Sequence, residues 1–354
     1  MNMKMHGMAA ELESRAPAPR ILLARLSAIG DIVHGLPVLC ALRARWPHAL
    51  LVWVVEKAGA EILHGHRALD EIITLPRGWL ASPRAVWRLR QRLRQYRFDT
   101  AIDLQGLTKS AAAVWLSGAR QRIGFGGENS REISRWFYTE IIMPTAVHVV
   151  EQNLELLRPL GVERPAVCFD LPQHPAAAAK AEEFIRANNL TPGFAVINPG
   201  AGWLSKRWPA ARFAAVARHL GKCHGLHAAV TWGGEEELRL AQEIAAAAAG
   251  YALVAPATNL PELIALLRRS RLCIASDTGP LHIAAALGVR CIGLYGPMPA
   301  ERNGPYGQGH VTLQRIRLSG SSRERRQANP LALEAIAVDD VCCACDEILA
   351  AASG

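Results

Sequence analysis

The 354-residue chain has no long apolar run. A helix that crosses a membrane needs roughly 18 uninterrupted apolar residues, and no segment approaches that length, so the sequence predicts no membrane-spanning helix. Its first nineteen residues combine four methionines (1, 3, 5 and 8) with charges and two prolines, without the apolar core of a secretory signal. We therefore expect residues 1–19 to be a disordered extension or to precede the true start codon. The expected location is the cytoplasm.

Cysteine is present, but the chain lacks the two separate C-x-x-C pairs that are typical of zinc sites. The eight cysteines are scattered through a chain that is too large to need disulfides, which is typical of a reduced, cytoplasmic protein. Cys342, Cys343 and Cys345 cluster near the end, but on a helix they would point in different directions. A chance cluster is therefore favoured over a metal site, and we expect no metal ligands.

Acidic residues are missing from one basic stretch, although the whole chain carries a net charge of +9. No carboxylate lies between Glu71 and Asp99, whereas arginine occurs at positions 77, 84, 88, 90, 92, 94 and 97. Apolar residues three and four apart predict an amphipathic helix over 84–97. A solvated helix face is one interpretation. The other is a surface for anionic lipid or phosphorylated glycolipid. Lipid or glycolipid fits better than nucleic acid, which we do not expect as a partner, because no stacking platform or groove-reading motif accompanies the charge.

The stretch from Ser276 to Pro297 is the most informative part of the sequence. An apolar strand over 272–275 precedes Asp277 and Thr278, where we expect a helix to begin. Thr278 suits the N-cap position, and Gly279 and His282 follow in the first turns. The bare N–H groups and positive dipole end of such a helix favour a phosphate group. The alternatives are an ordinary capped βα turn and, for His282, a core histidine.

Strands and helices also alternate elsewhere, which predicts an α/β fold with doubly wound parallel sheets. In the first half, Ser27 to Asp31 follows a strand over 20–26, and Gln105 follows another over 100–104. Ligands bind at the carboxyl ends of such strands. Asp31 lies in the first turn of the next helix, so helix capping is its alternative role.

The rest of the chain supplies a linker and a second set of turns. Residues 120–152 are expected to be an irregular, ligand-facing segment, and the domain linker is placed at residues 168–175. After a strand over 194–197, a glycine-rich turn leads to Lys206, a candidate phosphate clamp. Glu235 follows a strand over 227–232 and suits a ribose diol. The alternatives are a surface ion pair for Lys206 and a helix cap for Glu235.

Taken in order, five motifs resemble the heptosyltransferases of lipopolysaccharide core assembly, glycosyltransferase family 9. They are SAIGDIVHGLP, DLQGLTKSA, NPGAGWLSKRWP, TWGGEEE and SDTGPLHIAAALG, and the resemblance covers roughly residues 20–350. Within the family, the AIGD helix start, DLQGLTKSA and DTGPLH are more similar to the first heptosyltransferase than to the second. Gly78 and Leu80 depart from the family pattern, which tends to carry further basic residues there.

The resemblance implies a GT-B fold, in which two Rossmann-like, doubly wound parallel-sheet domains face a cleft. It implies an acceptor-binding domain over residues 20–170 and a nucleotide-sugar-binding domain over 176–335. A terminal helix over 336–354 would pack back on the first domain. The implied reaction is inverting, metal-independent transfer of L-glycero-D-manno-heptose from ADP-heptose to the Kdo of Kdo-lipid A. No cofactor is implied, and the protein would associate peripherally with the inner leaflet of the inner membrane.

Each predicted site residue takes a role in that reaction. Asp31 would be the general base. The donor would be bound by Lys206, Glu235, Asp277, Thr278, Gly279 and His282, and the acceptor by Ser27, Arg77, Gln105 and Arg131. Three alternatives remain open from the sequence: heptosyltransferase II or another family 9 transferase with a different acceptor, a GT-B epimerase, and a non-catalytic anionic-lipid-binding protein.

Overall fold

The computed structural model describes residues 18–130, 133–191, 193–318, 324–325 and 331–351. Arg131 and most of the proposed extension at residues 1–19 lie outside the described residues. Among the described residues, no helix is both long and apolar enough to cross a membrane.

The first half of the chain forms a parallel six-stranded sheet in the order β3-β2-β1-β4-β5-β6. Its central strand β1 pairs with β2 on one side and with β4 on the other. The inner strands consist almost entirely of buried apolar residues, as expected for a sheet that helices cover on both faces. The strands are β1 (Arg20–Ala24), β2 (Leu50–Glu56), β3 (Glu71–Leu75), β4 (Thr100–Asp103), β5 (Gln121–Phe125) and β6 (Glu140–Ile142).

Within the described residues, five α-helices accompany this sheet. They are α1 (Ile29–Arg45), α2 (Lys57–Leu63), α3 (Pro83–Gln95), α4 (Thr108–Ser117) and α5 (Val149–Glu155). The predicted basic helix is confirmed as α3, which buries Leu89 and Leu93 and leaves its arginines exposed. The expectation of an irregular segment over residues 120–152 is wrong, because β5 and β6 lie there. Both strands are short and contain polar or glycine residues, so they lack the apolar run that marked the other strands.

The second half repeats the architecture with the order β12-β11-β10-β7-β8-β9, again fully parallel. Its strands are β7 (Ala195–Asn198), β8 (Ala228–Val230), β9 (Ala252–Val254), β10 (Leu272–Ser276), β11 (Arg290–Tyr295) and β12 (Val311–Gln314). Two parallel sheets, each with covering helices, confirm the predicted doubly wound α/β class.

The helices whose full extent is described in the second half are α6 (Pro175–Ala187), α7 (Ala210–His224), α8 (Glu235–Ala247), α9 (Leu260–Arg269), α10 (Gly279–Ala286), α11 (Ala300–Asn303), α12 (Leu331–Glu334) and α13 (Val338–Ala350). The terminal helix α13 packs against α7, β11 and β12. It buries Val341, Cys345 and Ile348 in the core of the second half. The expected return of this helix to the first domain is therefore wrong, because its apolar face completes the second sheet.

The two halves share a continuous buried core, which includes Leu36 and Trp53 from the first half and Ile264 and Leu281 from the second. At one point the contact is between backbone and side chain: a Cβ added at Gly279 would lie 2.9 Å from Cγ2 of Ile29. The N-terminal turns of α1 and α10 therefore meet across the domain interface.

Candidate active site

A cleft of about 1330 Å³ lies between the two halves. Because both sheets are parallel, the loops at the carboxyl ends of their strands face it, as in other doubly wound folds. Nine of the eleven predicted site residues line this cleft: Ser27, Asp31, Arg77, Gln105, Lys206, Asp277, Thr278, Gly279 and His282. Residues that lie far apart in the sequence are thus brought into one space.

Two helix N-termini open into this cleft from opposite sides. Helix α1 begins at Ile29 in the first domain, and α10 begins at Gly279 in the second. Each N-terminus carries a partial positive charge and N–H groups that have no partner within their own helix. The cleft is therefore suited to a ligand that carries negative charge.

Asp31 is held at the start of α1 by two contacts. Its Oδ2 accepts a hydrogen bond from the Ala28 N–H (3.1 Å), and its Oδ1 forms a salt bridge with Arg25 (2.7 Å). The first contact is the capping interaction that the sequence offered as an alternative. Its side chain is nevertheless 35% exposed, in the cleft. The carboxylate is thus positioned by the helix and by Arg25, yet it remains accessible to a ligand.

Asp277 lies at the centre of a buried ionic network in the second domain. Its Oδ2 is 2.6 Å from the Lys206 ammonium, and its Oδ1 is 3.0 Å from Nε2 of His282. Burial alone would raise the pKa of Asp277, but Lys206 and His282 outweigh this effect and hold that pKa at about 2. The Lys206 ammonium also lies over the Trp203 ring, 4.4 Å from its centroid. The pair is buried rather than superficial, which removes the surface ion pair offered as an alternative for Lys206.

Thr278 occupies the N-cap position of α10, as the sequence predicted, but its hydroxyl does not cap the helix. It donates instead to the carbonyl of Ser276 (3.1 Å). The first-turn N–H groups of α10 therefore have no side-chain cap, and Gly279 adds no side chain beside them. This backbone is available to bind an oxyanion.

The first-domain side of the cleft is ordered by hydrogen bonds between loops. The Gln105 carboxamide oxygen accepts from the Leu26 N–H (2.9 Å), and the Lys109 ammonium contacts Ser27 Oγ (3.3 Å) and Glu56 (2.6 Å). These contacts join the ends of β1, β2 and β4. Gln105 and Ser27 therefore shape this wall of the cleft.

The family model for glycosyltransferase family 9 (heptosyltransferase) matches residues 86–332, which is more than half of the chain. The chain belongs to glycosyltransferase family 9. Lipopolysaccharide heptosyltransferase 1 of Pseudomonas aeruginosa is 30% identical to it over 303 residues, which cover 83% of this chain and 83% of that protein.

Solved structures agree with the family 9 assignment. The E. coli heptosyltransferase WaaC with ADP-2-deoxy-2-fluoro heptose has 25% sequence identity and a TM-score of 0.72, covering 93% of this chain and 99% of that one. The family 9 glycosyltransferase of Veillonella parvula superposes with a TM-score of 0.81 at 24% identity, over 94% of this chain and 97% of that one. The architecture of this family 9 protein is therefore the expected GT-B fold.

One predicted donor residue lies elsewhere in this family 9 protein. Glu235 begins α8 and, like Glu237 in the same helical turn, is not among the residues that line the cleft. The carboxylate that turns toward the glycine-rich loop is Glu237, which accepts from the Gly233 N–H (2.7 Å) and covers Gly200 so closely that a Cβ there would overlap it. Burial raises the pKa of Glu237. The sequence could not distinguish three consecutive glutamates, because helix phase decides which one faces the loop.

Several cleft residues of this family 9 protein were missed from the sequence, notably Arg25, Lys109 and Arg302. Arg25 was assigned to a strand, although its guanidinium pairs with Asp31. Arg302 lies on the short helix α11 and reaches Asn129 of the first domain (3.3 Å). Arg25 could have been identified from the sequence, because it is a basic residue near the end of a strand whose following loop was expected to bind a ligand. Only the meeting of the two domains reveals Arg302.

A cluster of three histidines lies behind the cleft, at the junction of the domains. The ring centroids of His34 and His282 are 4.3 Å apart, and those of His34 and His148 are 6.0 Å apart. Burial, followed by the proximity of His282 and His148, lowers the pKa of His34 well below its usual value. Burial likewise lowers the pKa of His148. His34 and His148 are therefore neutral at pH 7, which avoids like charges at this interface.

Proposed function

We propose that this family 9 enzyme transfers L-glycero-D-manno-heptose from ADP-heptose to the Kdo of the lipopolysaccharide inner core. The observation that carries the proposal is the meeting of Asp31, at the start of α1, with the uncapped N-terminus of α10 in one cleft. A general base and an anion-binding helix end supplied by opposite domains suit transfer between two bound substrates.

The identities of the relatives support the choice of donor and acceptor. The Pseudomonas protein is a lipopolysaccharide heptosyltransferase 1, and so are the matching proteins of Salmonella typhimurium and E. coli. The WaaC structure contains ADP-2-deoxy-2-fluoro heptose, an analogue of the donor. The first heptosyltransferase is therefore favoured over the second as the type of this enzyme, and over an epimerase or a lipid-binding protein without activity.

The Asp31 carboxylate acts as the general base in this proposal. It accepts the proton of the acceptor hydroxyl while that oxygen forms a bond to the anomeric carbon of the heptose. The bond between the anomeric carbon and the phosphate oxygen breaks on the opposite face, so the configuration inverts and ADP leaves. Arg25 keeps the carboxylate oriented during this step.

The departing diphosphate gains negative charge, and fixed positive groups in the second domain stabilise it. Lys206 and the backbone N–H groups at Thr278 and Gly279 face this position. Asp277 and His282 hold the Lys206 ammonium and the helix start in place, and they orient the heptose or the diphosphate. Since helix dipole and lysine supply the positive charge, the reaction needs no divalent metal.

The ribose of ADP is assigned to the carboxylates that follow Gly234. Glu235 was the sequence-based candidate, but Glu237 lies nearer to the Asn198–Gly200 turn. We therefore assign the ribose contact to Glu237 and treat Glu235 as the alternative. The acceptor is assigned to Ser27, Arg77 and Gln105, and to Arg131, which lies outside the described residues.

The basic helix α3 is proposed to rest on the anionic inner leaflet that contains the acceptor. Arg84, Trp87 and Arg88 lie three and four residues apart, and the Trp87 side chain is 60% exposed. Trp115 of the neighbouring helix α4 is 52% exposed. Exposed tryptophan beside arginine is typical of a helix that lies in a membrane interface.

The decisive experiment measures ADP release from ADP-heptose with and without deacylated Kdo-lipid A. Release that depends on the acceptor, with a product heavier by one heptose, is expected. Release that is indifferent to acceptor would indicate hydrolysis, and transfer only to an acceptor that already carries one heptose would indicate the second heptosyltransferase. Tight ADP binding without turnover of ADP-heptose would contradict the heptose assignment.

A further inference from the structure

Two helices on the second domain place three metal-binding side chains together. His219 and His224 lie in the last turns of α7, and Asp346 lies on the terminal helix α13, which packs against α7. Their ligand atoms all lie within 4.8 Å of one another. None of the three lines the cleft, so the donor and acceptor sites do not account for them.

The contacts converge on a single oxygen. Nε2 of His219 is 2.7 Å and Nε2 of His224 is 2.6 Å from Oδ1 of Asp346. Four-coordinate zinc binds these atom types at about 2.0–2.2 Å, which separates neighbouring ligand atoms by roughly 3.3 Å. Small side-chain rotations would therefore make room for an ion at the centre of the three atoms.

The surroundings favour a cation at this position. His224 is the last residue of α7, and the C-terminal end of a helix carries a partial negative charge that attracts cations. Cys223 Sγ lies 3.6 Å from Nδ1 of His219, the ring nitrogen that faces away from Asp346. A contact of this kind fixes the orientation of a ligating imidazole.

We propose that His219, His224 and Asp346 bind one Zn²⁺ ion, with water as the fourth ligand, and that this ion joins the terminal helix to α7. Two imidazoles and a carboxylate are a ligand set that suits zinc. The Asp346 side chain is 49% exposed, which leaves an open side for the water. Because none of the three ligands lines the cleft, we assign the ion a role in joining the two helices and not in the transfer reaction.

The test uses full-length protein without a polyhistidine tag, since such a tag would itself bind zinc. The protein is stripped with chelator under reducing conditions, equilibrated with Zn²⁺, and passed through a desalting column. We expect one zinc per chain by elemental analysis. With zinc at 100-fold above its dissociation constant, the Tm is expected to rise by about 5 °C. ADP release is expected to be unchanged.

Three variants decide the assignment. His224→Gln and Asp346→Asn are expected to reduce zinc affinity by at least about 100-fold, whereas His227→Gln, an exposed histidine three residues beyond the site, retains it. Loss of the ion pairs alone would lower the Tm of a variant equally with and without zinc. Loss of a metal ligand would also lower the amount of zinc that the variant retains. Wild-type protein that retains no more zinc than Asp346→Asn, or equal losses in all three variants, would overturn the proposal.

Discussion

The backbone of Gly30 in the first domain lies directly against the His282 ring of the second. A Cβ added at Gly30 would be 2.5 Å from Cδ2 of His282, which is too close for any carbon–carbon contact. Gly30 precedes Asp31, and His282 binds Asp277, so the contact joins the proposed base to the ionic network of the donor domain. The spacing of the two halves of the site therefore depends on the absence of one side chain.

Gly30→Ala is expected to separate the domains at this point and to reduce turnover strongly while both domains stay folded. Steady-state ADP release with acceptor measures the loss, and circular dichroism confirms the fold. Gly202→Ala is the control for stability, because an added Cβ there meets no atom within 4 Å. Unchanged turnover in Gly30→Ala would show that the domains do not need this contact for reaction.

Asp31→Asn keeps the shape of the side chain and its position at the start of α1 but removes its basicity. We expect kcat to fall by about 10²- to 10⁴-fold, with the affinity for ADP unchanged. Single-turnover kinetics and ADP binding by calorimetry measure the two quantities. Glu163→Gln, which neutralises an exposed carboxylate outside the cleft lining, is the control. A fall in kcat of less than about tenfold would assign the proton to another group.

Lys206→Met is expected to be more damaging to stability than the double variant Lys206→Met, Asp277→Asn. The single variant leaves a buried carboxylate without its cation, which costs about 3–5 kcal/mol, and the second substitution removes that charge. Thermal unfolding of the four proteins in a double-mutant cycle measures the coupling. Additive effects would contradict a direct ionic interaction between the two residues.

The lowered pKa of Asp277 predicts that the folded protein loses stability at low pH. Its folded pKa of about 2 lies below the unfolded value of about 3.9, so its contribution to stability is complete above about pH 4. That contribution is lost as the pH falls from about 4 through about 2. In Asp277→Asn, the dependence of the unfolding free energy on pH in this window is expected to weaken.

The histidine cluster predicts a second loss of stability on acidification, which begins at a higher pH than the loss caused by Asp277. Because the folded pKa of His34 is lowered, its contribution is complete above its unfolded value of about 6.5 and is lost as the pH falls below that value. Protonation would add charge beside His282, His148, Arg25 and Arg302. In thermal melts recorded from pH 8 to pH 5 in chelator, the Tm should fall less with decreasing pH for His34→Leu than for wild type. The control is His48→Gln, at an exposed histidine, which should leave the dependence of Tm on pH as it is in wild type.

Helix α3 is expected to bind anionic vesicles. Arg84→Gln with Arg88→Gln should weaken sedimentation with phosphatidylglycerol vesicles by at least about tenfold, since each arginine near such a surface contributes about 1 kcal/mol. The matched control, Arg186→Gln with Arg239→Gln, removes the same charge from the second domain. Equal weakening by both pairs would indicate a general charge effect rather than a membrane-binding helix.

Much of the fold was accessible from local pattern. Apolar runs such as 20–26 and 272–275 form central strands, because a strand covered on both faces must be apolar throughout. The spacing of Leu89 and Leu93 predicted helix α3 for a different reason, since a helix that is covered on one face needs only one apolar stripe. Strands β5 and β6 escaped detection, because both are short and begin with polar residues that are only partly buried, so neither contains a long apolar run.

The site was predicted less evenly. Motifs at the carboxyl ends of strands correctly brought Asp31, Lys206 and Asp277 to the cleft, since parallel strands place those ends on one edge. They could not reveal that Lys206 and Asp277 pair with each other, or that Glu237 rather than Glu235 turns toward the glycine loop. Both outcomes depend on side-chain direction, which is set by helix phase and by packing.

By itself, the sequence determined the two doubly wound sheets, the family and the set of residues available to the cleft, because these follow from periodicity and from ordered motifs. The tertiary structure alone decided how distant segments meet. It placed Gly30 against His282, directed the terminal helix to the second domain, and brought His219 and His224 to Asp346. Such contacts join residues more than a hundred positions apart, and only the packing of whole elements against one another selects them.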